Sequence, residues 1–171
     1  MNAQTPSLVV MGVSGCGKST LAQAVAQALG CTMLDGDAFH ADASQAKMSQ
    51  GIPLTDADRT GWLATLGDEL TKHPEGVVLS CSALKQAYRD TLRNTVPQLH
   101  FVFLEISHAT ALARVSARAS AHFFPAALVD NQFATLESPT SEAGVLTLDA
   151  TAPEDALVAK VLAWLNQSAS S

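Results

Sequence analysis

Short apolar runs recur along the chain, and each is followed by a longer stretch in which apolar residues return every three or four positions. Leu8-Val9-Val10-Met11 is the first run, and Leu21, Val25 and Leu29 follow it at helical spacing. Thr32-Met33-Leu34 is a second short run, before a helical stretch from Ala41 to Gln50 that Gly51-Ile52-Pro53-Leu54 breaks. Thr55 then reads as an N-cap, with Asp56 and Asp58 in the first turn of a helix carrying Arg59, Trp62, Leu63, Leu66 and Leu70. Gly61 and Gly67 weaken that helix. Val77 to Cys81 is a third strand, and Ser82-Ala83-Leu84-Lys85 opens a helix bearing Tyr88, Arg89 and Arg93. Phe101 to Ile106 is a fourth strand, followed by a helix with Arg114 and Arg118. A short helix from Leu128 to Leu136 carries Gln132 and Phe133. Val145 to Leu148 is a fifth strand, and a last helix starts near Pro153 with Leu157, Val158, Val161, Leu162 and Leu165 on its apolar face. Alternating strands and helices predict an α/β fold, a five-stranded parallel sheet with helices on both faces. The order of the strands is not readable from the pattern.

The link between the first strand and first helix changes the picture from fold to chemistry. Gly12-Val13-Ser14-Gly15-Cys16-Gly17-Lys18-Ser19 has the spacing of a phosphate-binding P-loop in its required strand–loop–helix context. The glycines let successive N–H groups turn inward, and the helix N-terminus adds unpaired donors. The candidate ATP-binding set is therefore Gly12, Val13, Ser14, Gly15, Cys16, Gly17, Lys18, Ser19 and Thr20. Lys18 is expected to reach the β- and γ-phosphates, and the Ser19 hydroxyl to hold Mg²⁺.

The second strand ends in Asp35-Gly36-Asp37, two carboxylates where open α/β sheets bind ligands. One could act through water on Mg²⁺ and the other accept a proton from a substrate hydroxyl, or both could be solvated ends of an Asp-Gly turn. Lys85 and Arg89 are four apart and form either an anion grip or a solvated face. Arg59 is either a site residue or an ordinary surface arginine. Arg114 and Arg118 with the Ala121-His122-Phe123-Phe124-Pro125 segment form a lid over the nucleotide, about residues 114–126, or else His122 and the two phenylalanines plug a core edge.

Composition narrows the classes. The chain has 171 residues, 47% of them apolar and 15% charged, which suits one folded domain spanning 1–171. The net charge of −6 with ten scattered Lys and Arg argues against duplex nucleic acid as a partner. No run approaches membrane-spanning length, and Met1 to Ser7 lacks the features of a secretory signal. Cys16, Cys31 and Cys81 make neither a Cys-x-x-Cys pair nor a zinc spacing, so a reducing, cytoplasmic location is expected.

Taken in order, the P-loop, Asp35-Gly-Asp-x-x-His40, Lys47-Met48, Gly51-x-Pro53-Leu54-x-Asp56-x-Asp58-Arg59, Cys81-Ser-Ala-Leu-Lys85-x-x-Tyr88-Arg89, and His122-Phe-Phe with Gln132-Phe133 make a combined signature. It resembles the bacterial gluconokinase family over nearly the whole chain up to about Pro139. The resemblance implies a P-loop small-molecule kinase that phosphorylates D-gluconate at its 6-hydroxyl with ATP and Mg²⁺, and a homodimer. It implies Asp37 as the residue that positions or deprotonates the hydroxyl, and Ser19 and Asp35 as organisers of Mg²⁺. Lys18, Arg114 and Arg118 are then the charges facing the transferred phosphoryl group. His40, Lys47, Arg59, Lys85, Arg89, His122 and Gln132 are the further substrate-side candidates. The chain departs from the family's pattern at Cys16, where serine is usual, at Gly61, expected to loosen its helix, and in the spacing from Arg118 to His122. A shikimate-kinase-like enzyme is the nearest rival, but its glycine-triplet substrate loop has no counterpart after Ser80. A GTP-dependent switch is a second rival, since Asp58-Arg59-Thr60-Gly61 matches Asp-x-x-Gly, though no Asn-Lys-x-Asp motif accompanies it. A non-catalytic nucleotide-binding module is a third, opposed by the intact Lys18, Ser19, Asp35 and Asp37.

Overall fold

The computed structural model describes residues 6–50, 52, 54–118 and 125–169. Five strands, β1 (Leu8–Met11), β2 (Thr32–Asp35), β3 (Val77–Ser80), β4 (His100–Glu105) and β5 (Val145–Asp149), form one sheet in the order β2-β3-β1-β4-β5. Every pairing is parallel, with Val9 opposite Leu79 on one side and Phe101 on the other. Seven α-helices accompany it among the described residues: α1 (Lys18–Leu29), α2 (Asp42–Ser49), α3 (Asp56–Thr71), α4 (Gln86–Thr95), α5 (His108–Ala117), α6 (Pro125–Thr135) and α7 (Glu154–Ala169).

The strands are apolar on both faces because both faces are covered. Leu8, Val10, Val78, Val102 and Leu104 pack under α1 and α7, against Leu21, Val25, Leu157 and Val161. The alternate residues Val9, Met11, Leu79, Phe101 and Phe103 pack under α3 and α4, against Trp62, Leu66, Leu70 and Leu92. A third apolar cluster, Val13, Leu84, Ala111, Val115 and Val129, joins α5 and α6 to the carboxyl end of the sheet. That end carries the loops of interest. Among the described residues no helix is long and apolar enough to cross a membrane.

Two local features depart from the sequence pattern. The Ser82–Lys85 segment is not helical: α4 begins at Gln86 with Lys85 as its N-cap, and Ala83 sits in the left-handed region at φ 47°. The Asp35-Gly36-Asp37 turn runs into a short 3-10 helix, Gly36–Phe39, whose start is capped by the Asp35 carboxylate accepting from the Asp37 N–H at 3.0 Å. Gly36 is required there by contact, since a Cβ would lie 2.6 Å from the Ser80 carbonyl oxygen. Helix α3 runs unbroken through Gly61, so that glycine does not loosen it into separate turns.

Candidate active site

The phosphate loop joins β1 to α1, with Gly12, Gly15 and Gly17 all at positive φ. Gly17 is the N-cap of α1, so the first-turn N–H groups of Lys18, Ser19 and Thr20 lack helical partners and open toward the cleft. The Cys16 side chain is 2% exposed and packs with the core, so replacing the usual serine leaves the N–H lining of the loop unaltered. Arg114 reaches the back of the loop, donating to the Gly15 carbonyl at 3.1 Å and the Ala150 carbonyl at 3.3 Å. Ser14 donates its N–H to the Gln132 side-chain oxygen at 2.5 Å, which ties α6 to the front of the loop.

A cavity of about 200 Å³ opens beside the loop. Ser14 and Lys18 form its phosphate-loop wall, and Asp37, His40, Arg59 and Trp62 form the wall opposite. Met48, Ile52 and Leu54 give an apolar side, and Asn131 and Gln132 on α6 add two amides. The fixed charges converge, since the buried Cys81 at the end of β3 feels Asp37, Lys18 and Arg59 together. Burial is the larger influence on that thiol and pushes its pKa up to about 12.

Trp62 organises the carboxylate wall. Its indole N–H donates to the Gly36 carbonyl at 2.7 Å, and its ring stacks on His40 at 4.2 Å between centroids. His40 is buried, and its Nδ1 has no partner among the described residues. Burial holds its pKa below the ordinary value, with Arg59 acting in the same direction and Asp37 opposing both. The imidazole, its buried Nδ1 unpartnered among the described residues, lines the cavity with its Nε2 3.9 Å from the Asp37 carboxylate.

Mg²⁺ suits the donors present. The hydroxyls of Ser19 and Ser80 lie 3.1 Å apart at the loop, with Asp35 at the end of the neighbouring strand. Among the described residues there is no cluster of three or more His, Cys, Asp and Glu able to cage a metal. Hard oxygen donors without a protein cage match an ion that keeps its waters and rides on nucleotide phosphates.

Four predicted site residues do not line this cavity. Arg89 is 0% exposed and is not a substrate-side cation. Its donors are taken by Glu142 at 3.0 and 2.5 Å, the Ala83 carbonyl at 2.7 Å and the Glu137 carbonyl at 2.8 Å. Its helix turns it inward, where a buried guanidinium must find partners. Lys85 points outward to Asp56 at 3.0 Å, and Lys47 to Asp58 at 2.8 Å; neither lines the cavity. The Lys47 contact, then the Thr55 N–H, draws the Asp58 pKa down to about 2. Arg118 caps the end of α5 on the surface, outside the cavity lining. His122 lies outside the described residues.

Sequence reasoning missed Ser80, Ser82, Trp62 and Asn131 as site residues. Ser80 was findable, since the carboxyl ends of strands in open α/β sheets face the ligand crevice. Ser82 reaches the cavity because Ala83 takes an unusual φ, and nothing in the pattern announces that.

Comparison with known proteins agrees with this geometry. A family model described as an AAA domain matches residues 8–139. The gluconokinase of Gluconobacter oxydans (strain 621H) is 42% identical over 158 residues, covering 91% of this chain and 88% of that protein. The thermosensitive gluconokinase of Escherichia coli (strain K12) is 45% identical over 139 residues, covering 80% and 74%. The crystal structure of a gluconokinase from Sinorhizobium meliloti 1021 superposes with a TM-score of 0.89 at 44% identity, covering 99% of this chain and 96% of that one. Shikimate kinase from Acinetobacter baumannii shares the fold alone, with a TM-score of 0.66 at 17% identity over 97% and 96% of the two chains. On identity and coverage together with the shared fold, the chain belongs to the gluconokinase family.

Proposed function

We propose that this protein transfers the γ-phosphoryl group of ATP to the 6-hydroxyl of D-gluconate, giving 6-phospho-D-gluconate and ADP. The observation that carries the reading is a single cavity that holds the phosphate-loop Lys18 together with Asp37, Arg59 and His40. A polyhydroxy acid needs those groups: a base or positioner for the reacting hydroxyl, a cation for its carboxylate, and neutral donors and acceptors for its other hydroxyls.

In this reading the Asp37 carboxylate holds the 6-hydroxyl and takes its proton as the oxygen bonds to the γ-phosphorus. The bond from that phosphorus to the β–γ bridging oxygen breaks, and ADP leaves with the electron pair. Lys18 and the N–H groups of the loop stabilise the charge on the phosphoryl oxygens. Ser19 and Asp35 would hold Mg²⁺, which supplies further charge neutralisation on the phosphates. Arg114 supports the loop backbone through Gly15, and Arg118 stands as a candidate for phosphate contact. The family resemblance also supports a cytoplasmic homodimer acting on a small molecule, with sedimentation as the check on the dimer.

The test is ATP consumption by the purified protein with Mg²⁺, offered D-gluconate, shikimate, a nucleoside monophosphate or no acceptor. Turnover with gluconate alone is expected. Asp37→Asn is expected to lose roughly a hundredfold or more in kcat while retaining ATP binding. Turnover on shikimate instead would move the substrate and keep the fold.

A further inference from the structure

Among the described residues of the cavity lining, only Lys18 and Arg59 carry a fixed positive charge. Lys18 belongs to the phosphate loop, so Arg59 is left as the cation for the acceptor's carboxylate. Its guanidinium faces a hazard. Asp56 stands three residues earlier on the same helix, α3, close enough in sequence spacing to form a direct ion pair. Such a pair would neutralise Arg59 and draw it off the cavity.

The structure shows what prevents this. Arg59 Nη1 donates to the Tyr88 hydroxyl oxygen at 3.2 Å, and that hydroxyl in turn donates to Asp56. Tyr88 is 6% exposed at the α3–α4 contact, and the Arg59 guanidinium carbon lies 5.4 Å from its ring centroid. Asp56 takes a second donor, Lys85 Nζ, at 3.0 Å. The polarity of the chain is set by its end: an ionised carboxylate only accepts, so the hydroxyl must donate to it and offers its lone pair to Arg59. The Arg59 guanidinium makes no other hydrogen bond to a described residue, which leaves its remaining N–H groups available to a ligand.

We propose that Tyr88 is a positioning residue for substrate carboxylate recognition: its hydroxyl stands between Arg59 and Asp56, and so keeps the guanidinium oriented, out of a direct ion pair with Asp56 and available to the acceptor's carboxylate. This rests on the functional reading above and assigns the anion-reading end of the same site. Lys85, the other cation of the cluster, serves by occupying Asp56 rather than by touching substrate.

The experiment is steady-state kinetics on the whole protein with Tyr88→Phe, which keeps the ring and removes only the hydroxyl. The KM for D-gluconate is expected to rise roughly tenfold, with kcat and the KM for ATP each within about twofold of the unmodified protein. Asp56→Ala placed in the Tyr88→Phe background removes the carboxylate onto which Arg59 would fall, and is expected to recover most of the loss. A structural defect would not be rescued by deleting a second contact of the same cluster. An unchanged gluconate KM in Tyr88→Phe, a loss shared equally by ATP and gluconate, or no recovery in the double variant would each overturn the proposal. A melting temperature taken on each variant separates unfolding from these outcomes. Failure of the unmodified protein to phosphorylate gluconate would overturn the functional reading and this inference with it, whereas normal gluconate turnover with an indifferent Tyr88→Phe would overturn the inference alone.

Discussion

Arg89 shows how a charged side chain on an α/β surface helix becomes part of the interior. Its guanidinium is fully buried and is met by both oxygens of Glu142 and by two backbone carbonyls, while Arg93 reaches the same Glu142 at 2.8 Å. The pair closes the loop after α6 onto α4 and grips Ala83 in its unusual conformation. Truncation to Arg89→Met leaves two unpaired carbonyls and a Glu142 carboxylate held by Arg93 alone, so the cost falls at the low end for a broken buried pair, about 3 kcal/mol. Denaturant unfolding of Arg89→Met is expected to show a loss of that size, and a change under about 1 kcal/mol would contradict the assignment. Spacing alone could not have found this role. Lys85 and Arg89 are equivalent under an i, i+4 rule, and the partner that separates them, Glu142, lies far along the chain. What was legible at this scale was chemistry carried in contiguous motifs: the phosphate loop, Asp37 and His40 all come to the cavity edge.

Elements were legible where hydrophobic period and caps agree. Helix α3 carries the expected Thr55 cap, and the structure adds its reciprocal half: Asp58 N–H donates to Thr55 at 3.1 Å, and Thr55 N–H to Asp58 at 2.9 Å. The 3-10 helix after Asp35 and the extended Ser82–Lys85 segment have no period to read, and both sit at the site. The two glycines of α3 look alike in the sequence and differ in the fold. A Cβ on Gly61 would meet nothing within 4 Å, whereas one on Gly67 would lie 2.9 Å from Thr95 Oγ1 and 3.3 Å from its Cγ2. Gly61→Ala is therefore expected to stabilise by about 0.8 kcal/mol, the ordinary helix-propensity gain. Gly67→Ala gains the same propensity but forces α3 from α4, and overpacking of about 1–3 kcal/mol wins. Melting temperatures that move in the same direction for the two variants would contradict this reading of the α3–α4 contact.

At the scale of the molecule, the strand order β2-β3-β1-β4-β5 puts β1 at the centre, so the phosphate loop rises from the best-buried strand and the acceptor wall from its flank. Local pattern could not rank strands, because all five carry similar apolar runs and the order depends on which helix crosses which face. The same burial sets the pH range over which the molecule holds together. His40 and His100 are held below their ordinary 6.5, chiefly by burial, so the unfolded chain takes up protons first as pH falls. Stability is then complete above 6.5 and is lost on acidification, with the lowered carboxylates Asp56, Asp58 and Glu142 adding to the loss further down. On the alkaline side burial holds Cys31 and Cys81 above their ordinary 9.0 and Tyr88 above 10.0. The unfolded chain gives up those protons first, so stability is complete below 9.0 and falls as pH rises past it. A melting temperature that is level between 6.5 and 9.0 and falls on both sides is the expected profile. The competing influence is net charge: at −6 the chain repels itself at neutral pH, and that repulsion vanishes near the isoelectric point of 5.2. A maximum near 5.2 would mean that diffuse repulsion outweighs the buried histidines, whereas the level profile, with its acid fall softened in His100→Asn and its alkaline fall softened in Cys81→Ala, would assign pH stability to individual buried groups.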